Sequence, residues 1–392
     1  MLKKLAFLSG AFISVSSCHV DEDCKLNGVC NLNTGRCDCD QPWSGDDCGY
    51  LTFDKVEPCW EWGCGFHGDE HNTATWGGSV IKDENNVYNM FAAQMGQNCT
   101  LGQWQTNSIV VHATSSTPTG PYTQQDTAVP AWSHNPQIIR TQDGTYVIYT
   151  LGDGVPGPHG PPVPCNNGKP SIDSHKNTGV NLNVNTDGPK DTANFTMHYS
   201  KSLDGPWQSH QTFILDWPAE QGWNLNNMNP APIVLPNGTI RVLVNIETGP
   251  WQGQAFIQAD NFMGPYNVLT GDITHGVPKN VEDGFTWVDN RGHWHALYHK
   301  MFDPNGTTPI PSPGWAGGHA FSRDGLNWSD VYRCFNTSVE LTNGVSFDLK
   351  RRERPKLIFD EHNVPTHLTN GVMVENGEIF TLVAPLKFSC LN

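Results

Sequence analysis

A set of charged and amide side chains stands at the starts of short apolar segments, where such groups can do chemistry. These residues are His134, Asn135, Asn229, Glu282, Asp283, Glu353 and Arg354. Carboxyl groups in pairs suit glycoside hydrolysis, because protonating the leaving oxygen and activating a water are opposite tasks. A histidine near an arginine suits a different reaction, proton abstraction beside a neutralised anion. Either reaction needs a fold that brings these segment starts together.

The elements that position these residues form a repeat within residues 50–392. Each copy is a short apolar strand, a turn and an alternating strand, and several turns are Asp-Gly or Asn-Gly, which favour hairpins. A Gly-Pro-aromatic signature follows the hairpins at residues 120–122, 205–207 and 264–266. Five copies predict an all-β domain, a five-bladed β-propeller, with a β-sandwich as the alternative. Residues 376–383 are expected to close the ring, and residues 153–192 to form a loop over one face.

Residues 18–49 form a separate small module. Its six cysteines are Cys18, Cys24, Cys30, Cys37, Cys39 and Cys48. The motifs Cys37-Asp38-Cys39 and Trp43-Ser44-Gly45-Asp46-Asp47-Cys48 resemble those of an EGF-like module. That resemblance implies the pairs Cys18–Cys30, Cys24–Cys37 and Cys39–Cys48, whereas spacing alone leaves 15 connectivities open. A zinc site is the rival interpretation. Six further cysteines, an even number, fit more disulfides: Cys59, Cys64, Cys99, Cys165, Cys334 and Cys390.

The propeller repeat resembles the five-bladed glycoside hydrolases, the family 43-like group, over roughly residues 70–390. The resemblance implies that carboxylates from different blades surround a sugar at the funnel. Glu282 occupies the place of the general acid, with Asp283, Glu353 or Asp69 as the expected base. The second blade starts with Asn135-Pro136 where the group has Asp-Pro, and the first blade offers Trp76-Gly77. Two of the three expected carboxylates are therefore absent from their usual places.

Other polar and aromatic residues complete the predicted site. The predicted substrate-binding residues are Asn135, Asn229, Arg354, Trp76, Trp287 and His367. His134 is the predicted base of a lyase on the same scaffold, in which Arg354 neutralises a uronate. No cofactor is required; a structural calcium ion at the propeller axis is possible, and His293, His295 and His299 could ligate a metal from one strand face.

Composition indicates where the protein acts and what it meets. The 392-residue chain has a formal charge of −16, which argues against binding nucleic acid or anionic lipid by bulk attraction. Residues 1–17 read as a secretory signal peptide whose apolar run is too short to span a membrane, and no other stretch reaches about 18 apolar residues. The predicted location is extracellular. Six sequons predict glycosylation at Asn98, Asn194, Asn237, Asn305, Asn327 and Asn336.

The sequence is consistent with three functions. The first is a secreted glycoside hydrolase acting on a polysaccharide or oligosaccharide, and the second is a polysaccharide lyase. The third is a non-catalytic carbohydrate-binding or adhesion protein, because EGF-like modules are common in adhesive proteins. In each case the partner is a carbohydrate, and the EGF-like module is expected to act as a spacer or to dock another extracellular protein or glycan.

Overall fold

A computed structural model describes residues 17–58, 64–68, 73–157, 159–166, 169–170, 193–225, 228–248, 251–274, 281–300 and 315–388. Most of the predicted signal peptide, and Asp69, Cys59, Cys390 and Asn305, lie outside these ranges. The fold is nearly all-β. The helical segments of the described chain are the short turns Asp21–Cys24, Leu101–Gln103, Trp104–Asn107 and Ala219–Gln221. Among these residues, no helix is long and apolar enough to cross a bilayer.

The N-terminal module consists of two small hairpins held by disulfides. Its strands are Gly28–Asn31, Arg36–Cys39, Trp43–Ser44 and Tyr50–Leu51. The three predicted pairs, Cys18–Cys30, Cys24–Cys37 and Cys39–Cys48, are confirmed. So short a segment buries too little apolar surface to fold by packing alone, and each crosslink contributes about 2–4 kcal/mol.

Five blades follow within the described ranges. Blade 1 contains Thr75–Lys82, Tyr88–Met95, Ser108–Ser115 and Thr123–Val129; blade 2 contains Ser133–Arg140, Tyr146–Gly152, Ala193–Ser200 and Gln208–Leu215. Blade 3 contains Ala231–Val234, Ile240–Thr248, Trp251–Ala259 and Tyr266–Val268; blade 4 contains Val281–Val288, Trp294–Lys300, Trp315–Ser322 and Tyr332–Asn336. Blade 5 contains Arg351–Phe359, Pro365–Met373 and Ile379–Pro385. The remaining short strands are Cys165–Asn166, Lys169–Pro170, Trp223–Asn224, Ser338–Glu340 and Ser346–Asp348.

The first strand of every blade lies innermost. Each first strand contacts the first strand of the next blade, and the strand of blade 5 contacts that of blade 1, so the ring is closed. The Gly-Pro-aromatic signatures lie at the starts of outer strands, as predicted, and each carries a cis Gly-Pro bond. The five-bladed β-propeller is thereby confirmed. In the closed ring, the starts of the five inner strands surround one axis.

The outer edge of blade 5 is covered by the chain that leaves the N-terminal module. Phe66 and Thr381 exchange two backbone hydrogen bonds of 2.9 and 3.0 Å, and Phe53 forms a bridge to Leu386. Residues 376–383, expected to close the ring, span a turn and most of the third strand of blade 5, Ile379–Pro385, and the N-terminal segment completes the edge of that blade. Because an exposed edge strand invites pairing with other chains, this cover protects the sheet.

The module is packed against blades 4 and 5. A single buried apolar cluster contains the module's Trp43 and Leu51 together with Phe285, Trp287 and Leu297 of blade 4. Ionic contacts surround this cluster. Arg323 binds Glu22. Arg291 binds Asp40 and donates a hydrogen bond of 2.6 Å to the carbonyl oxygen of Leu26. The two parts therefore share one core, and the expected role of the module as a spacer or in docking another extracellular protein or glycan stays a prediction.

The cysteines outside the module behave in different ways. Cys99 and Cys165 form a disulfide, and Cys64 is also disulfide-bonded. Cys334 is buried and unpaired, which corrects the expectation that all six further cysteines pair. Burial raises the pKa of the Cys334 thiol well above its ordinary value, so this cysteine is an inert packing residue.

Candidate active site at the propeller axis

One residue near the start of each inner strand has a left-handed backbone. These five residues are Gly77 (φ 73°), Asn135 (φ 48°), Asn229 (φ 40°), Asp283 (φ 58°) and Arg354 (φ 56°). Asn, Asp and Gly are the residues that tolerate this conformation best. A local shift of strand register accompanies four of them, in blades 1, 2, 4 and 5. In blades 2 to 5 the kink brings the side chains of Asn135, Asn229, Asp283 and Arg354 together at the axis.

Asp283 is the centre of the axial network. Its Oδ1 accepts hydrogen bonds from Asn229 Nδ2 (2.8 Å), Arg354 Nη1 (2.9 Å) and Asn135 Nδ2 (3.4 Å). Lys356 Nζ donates to Asn135 Oδ1 at 3.1 Å. Burial raises the pKa of Asp283 to about 6, although Arg354 opposes that rise. The hydrogen bonds of Asp283 link the strand starts of blades 2, 3, 4 and 5. Because its side chain is fully buried, Asp283 is poorly placed to act as the predicted base.

A second cluster lies beside this network and reaches solvent. His299 Nδ1 lies 3.3 Å from Glu282 Oε1 and 3.9 Å from Asp283 Oδ2, while its Nε2 lies 3.9 Å from Glu353 Oε1. One carboxylate oxygen from each of the three acids and one His299 nitrogen all lie within 4.8 Å of one another. The Glu282 side chain is 27% exposed, compared with 7% for Glu353. Glu282 is therefore the acid of the cluster that a ligand reaches most easily.

The protonation states follow from the charges around His299. Burial opposes the charged imidazole, but the charges of Glu353, Glu282 and Asp283 raise the pKa of His299 to about 9. Burial likewise opposes ionisation of Glu282, and the hydrogen bond and charge of His299 nevertheless lower the pKa of Glu282. At neutral pH the Glu282–His299 pair consequently holds one proton, mainly on the imidazole.

A cavity of about 360 Å³ opens beside the cluster. Its lining includes Trp76, Trp104, His134, Arg351 and Arg354. His134 Nδ1 lies 2.7 Å from Ser108 Oγ, and its ring stacks on Trp104 with 5.1 Å between centroids. Burial and the charges of Arg354 and Lys356 keep the pKa of His134 well below 6.5, so this imidazole is neutral.

The acidic cluster is a poor fit for calcium. Hard cations need free carboxylate oxygens. Both oxygens of Glu353 accept hydrogen bonds from Arg351, at 2.5 and 2.8 Å, and Asp283 Oδ1 is bonded to Arg354. With His299 protonated, the negative charges of Glu282, Glu353 and Asp283 are already balanced by the positive charges of His299, Arg351 and Arg354. We therefore assign no step to a metal ion.

Several predicted site residues lie elsewhere. Trp287 is buried under the N-terminal module, stacked on His295 with 4.9 Å between centroids. His367 lies near the outer start of its strand, where Nδ1 is 2.9 Å from Thr366 Oγ1. His293 and His295 contact Asp289 at the opposite end of the strand from His299, so the three histidines do not converge. Asn135 and Asn229 are buried and support Asp283.

The glycosylation sites remain predictions. Asn237, Asn327 and Asn336 are exposed, and Asn98 and Asn194 are half-buried.

Trp104 and Lys356 were not predicted as members of the site, His299 was predicted only as a possible metal ligand, and Arg351 only as part of a basic run. Counting residues outward from the blade 4 turn does not predict that Glu282 pairs with His299, because the strand register shifts between Glu282 and Phe285. Arg351 and Lys356 lie in a basic run that gives no sign of which side chain turns inward. Trp104 follows a loop whose path no local pattern predicts.

Comparisons with known proteins agree with the fold. Residues 18–48 match the EGF-like domain family. Zg3597, a family 117 glycoside hydrolase of the marine bacterium Zobellia galactanivorans, superposes with a TM-score of 0.52 at 12% identity, over 86% of this chain and 90% of that chain. The fold is that of the five-bladed glycoside hydrolases.

Two further solved structures are equally similar. The catalytic domain of the GH62 α-L-arabinofuranosidase of Coprinopsis cinerea gives a TM-score of 0.52 at 10% identity, over 86% of this chain and 98% of that chain. A protein of unknown function from Dyadobacter fermentans gives 0.52 at 12% identity, over 86% and 100%. No curated protein matches in sequence.

Proposed function

We propose that the protein is a secreted glycoside hydrolase whose substrate enters the cavity beside the axial acids. The observation that carries the proposal is the cluster of Glu282, Glu353 and His299, in which the Glu282 carboxylate is accessible and the Glu353 carboxylate is buried. The glycosidase fold and the disulfide-rich module support an extracellular enzyme that acts on carbohydrate.

Glu282 is the proposed proton donor to the glycosidic oxygen. At neutral pH Glu282 is ionised and the proton of the pair lies on His299, so His299 must first pass this proton to Glu282, which then donates it to the glycosidic oxygen. Glu353, or Asp69 outside the described ranges, supplies the second carboxylate. One oxygen of Glu282 and one of Glu353 lie within 4.8 Å of each other. This spacing favours Glu353 as a nucleophile in a retaining reaction, because inverting enzymes separate their acids by about 6.5–9.5 Å.

A panel of polysaccharides and oligosaccharides tests the proposal. Each glycan is scored for bound ligand, for new reducing ends and for the anomer first released, measured by proton NMR. Release of reducing ends from at least one glycan is the expected result. Saturable binding across the panel without any product would contradict the hydrolase and support a carbohydrate-binding protein.

A polysaccharide lyase is the second candidate, and one observation favours it. His134 and Arg354 line the same cavity, which is the arrangement that proton abstraction beside a neutralised uronate requires. The same panel separates the two reactions, because a lyase product carries a new double bond that absorbs in the ultraviolet. Ultraviolet absorbance that appears together with the reducing ends would replace the hydrolase by the lyase.

A further inference from the structure

Two guanidinium groups meet at the cavity beside the axial acids. Arg351 and Arg354 both belong to the inner strand of blade 5, and both line the cavity with Trp104 and His134. Their neighbours in the basic run point elsewhere: Arg352 is buried over the ring of Phe335, and Lys350 is exposed and pairs with Glu375. Of the four basic residues of this run, Arg351 and Arg354 line the cavity, whereas Lys350 and Arg352 do not.

Each guanidinium is hydrogen-bonded along one edge, and that of Arg351 also lies over the ring of Trp76, with its Cζ 4.8 Å from the ring centroid. Arg351 uses Nε and Nη2 to bind both oxygens of Glu353, and Arg354 uses Nη1 to bind Asp283. Within the described ranges, neither Arg351 Nη1 nor Arg354 Nη2 has an acceptor. Buried carboxylates thus fix the orientation of both groups, and one N–H edge of each remains for a ligand. Such pre-oriented guanidinium edges match the oxygens of a carboxylate or a sulfate.

The described lining of the cavity contains two guanidinium groups, although the whole chain carries −16. No carboxylate residue belongs to its described lining, and His134 is neutral. The Arg351 side chain is 43% exposed, whereas that of Arg354 is 11% exposed. Arg351 is therefore open to an arriving ligand, and Arg354 lies deeper, beside the acids of the proposed reaction.

We propose that this cavity binds an anionic sugar residue, one that carries a carboxylate or a sulfate ester, and positions it against Glu282. The inference rests on the proposed function, because it assumes that the ligand of the funnel is a carbohydrate. The shared chemistry is an anionic group that accepts hydrogen bonds from two arginines. Trp104 offers an adjacent aromatic surface for the sugar ring.

Calorimetric binding with matched ligand pairs tests the inference. The probes are an oligogalacturonate with its carboxyl-reduced counterpart, and a sulfated galactan oligosaccharide with its desulfated counterpart. Each anionic probe that fits is expected to bind at least about tenfold more tightly than its neutral counterpart, and the advantage should shrink with added salt. The pair that shows the difference identifies the anion. Equal affinity within both pairs would overturn the inference.

Substitution of Arg351 supplies the second arm. Arg351→Gln is expected to weaken the anionic probe about 10- to 100-fold, as loss of a charge-assisted hydrogen bond implies, and to leave the neutral probe unchanged. Lys350→Gln removes the neighbouring charge outside the cavity and is expected to change neither affinity. If Arg351→Gln does not fold, Arg351→Lys keeps the charge beside Glu353 and should retain part of the preference. An equal loss for charged and neutral probes would contradict the proposal.

The two proposals fail in different ways. Preferential binding of an anionic sugar without any product would leave the inference standing and sink the hydrolase. Hydrolysis of neutral glycans only, at rates that Arg351→Gln does not alter, would leave the hydrolase standing and sink the inference.

Discussion

At the scale of single residues, the site separates acids that hold the fold from acids that meet a ligand. Asp283 accepts three hydrogen bonds in full burial, whereas Glu282 reaches solvent. Asp283→Asn keeps the shape but leaves Arg354 without its counter-charge. We expect a loss of about 3–5 kcal/mol in the free energy of unfolding, measured in urea. Asp330→Asn, at an exposed position, is the control and should change little; equal effects of both substitutions would contradict the buried role.

The charge of His299 makes stability depend on pH. Its pKa is raised in the folded state from 6.5 to about 9. The stabilisation is therefore complete below about pH 6.5 and is lost as the pH rises through about 9. The difference in unfolding free energy between the wild type and His299→Gln is expected to be largest near pH 6 and to shrink toward about pH 10. A difference that grows with pH would show that His299 is not charged in the folded protein.

At the scale of elements, the kinked starts of the inner strands set the geometry. Gly77 has φ 73°, and a Cβ there would lie 2.9 Å from Arg354 Cβ. A Cβ added at Gly292, which has φ 84°, would meet nothing within 4 Å. Substitution of Gly292 therefore measures the cost of the backbone conformation without a steric clash. Gly292→Ala should cost about 1–2 kcal/mol, and Gly77→Ala about 1–3 kcal/mol more. Urea unfolding measures both; similar costs would mean that the axis tolerates the added methyl group.

The same elements show how far the sequence predicts the structure. Turn residues and alternating strands were enough for five blades, because both signals are local. Glu282 and Glu353 could be placed near the axis for the same reason. The buried role of Asp283 and the pairing of Arg351 with Glu353 could not be predicted, since the side-chain direction depends on a register shift. The docking of the N-terminal module depends on contacts between residues about 250 positions or more apart, which no local pattern encodes.

At the scale of the whole molecule, the module and the propeller should unfold together. Trp43 of the module is buried, its ring contacts that of His319 of blade 4 with 4.7 Å between centroids, and it belongs to the same apolar cluster as Phe285 and Leu297 of that blade. Calorimetry is expected to show one cooperative transition, and Trp43→Ala should destabilise the whole chain by about 3–5 kcal/mol. Val29→Ala, at an exposed position of the module, is the matched control. Two separate transitions, with only one of them moved by Trp43→Ala, would contradict a shared core.

The central claim is that Glu282 performs chemistry at the axis, and one measurement tests it most directly. On the glycan that the panel identifies, turnover by Glu282→Gln is compared with wild type and with Glu340→Gln, an exposed acid of the same type. We expect kcat to fall about 10²- to 10⁴-fold for Glu282→Gln, with glycan binding and thermal unfolding retained. Glu340→Gln should match the wild type. Unchanged turnover by a folded Glu282→Gln protein would contradict the assignment.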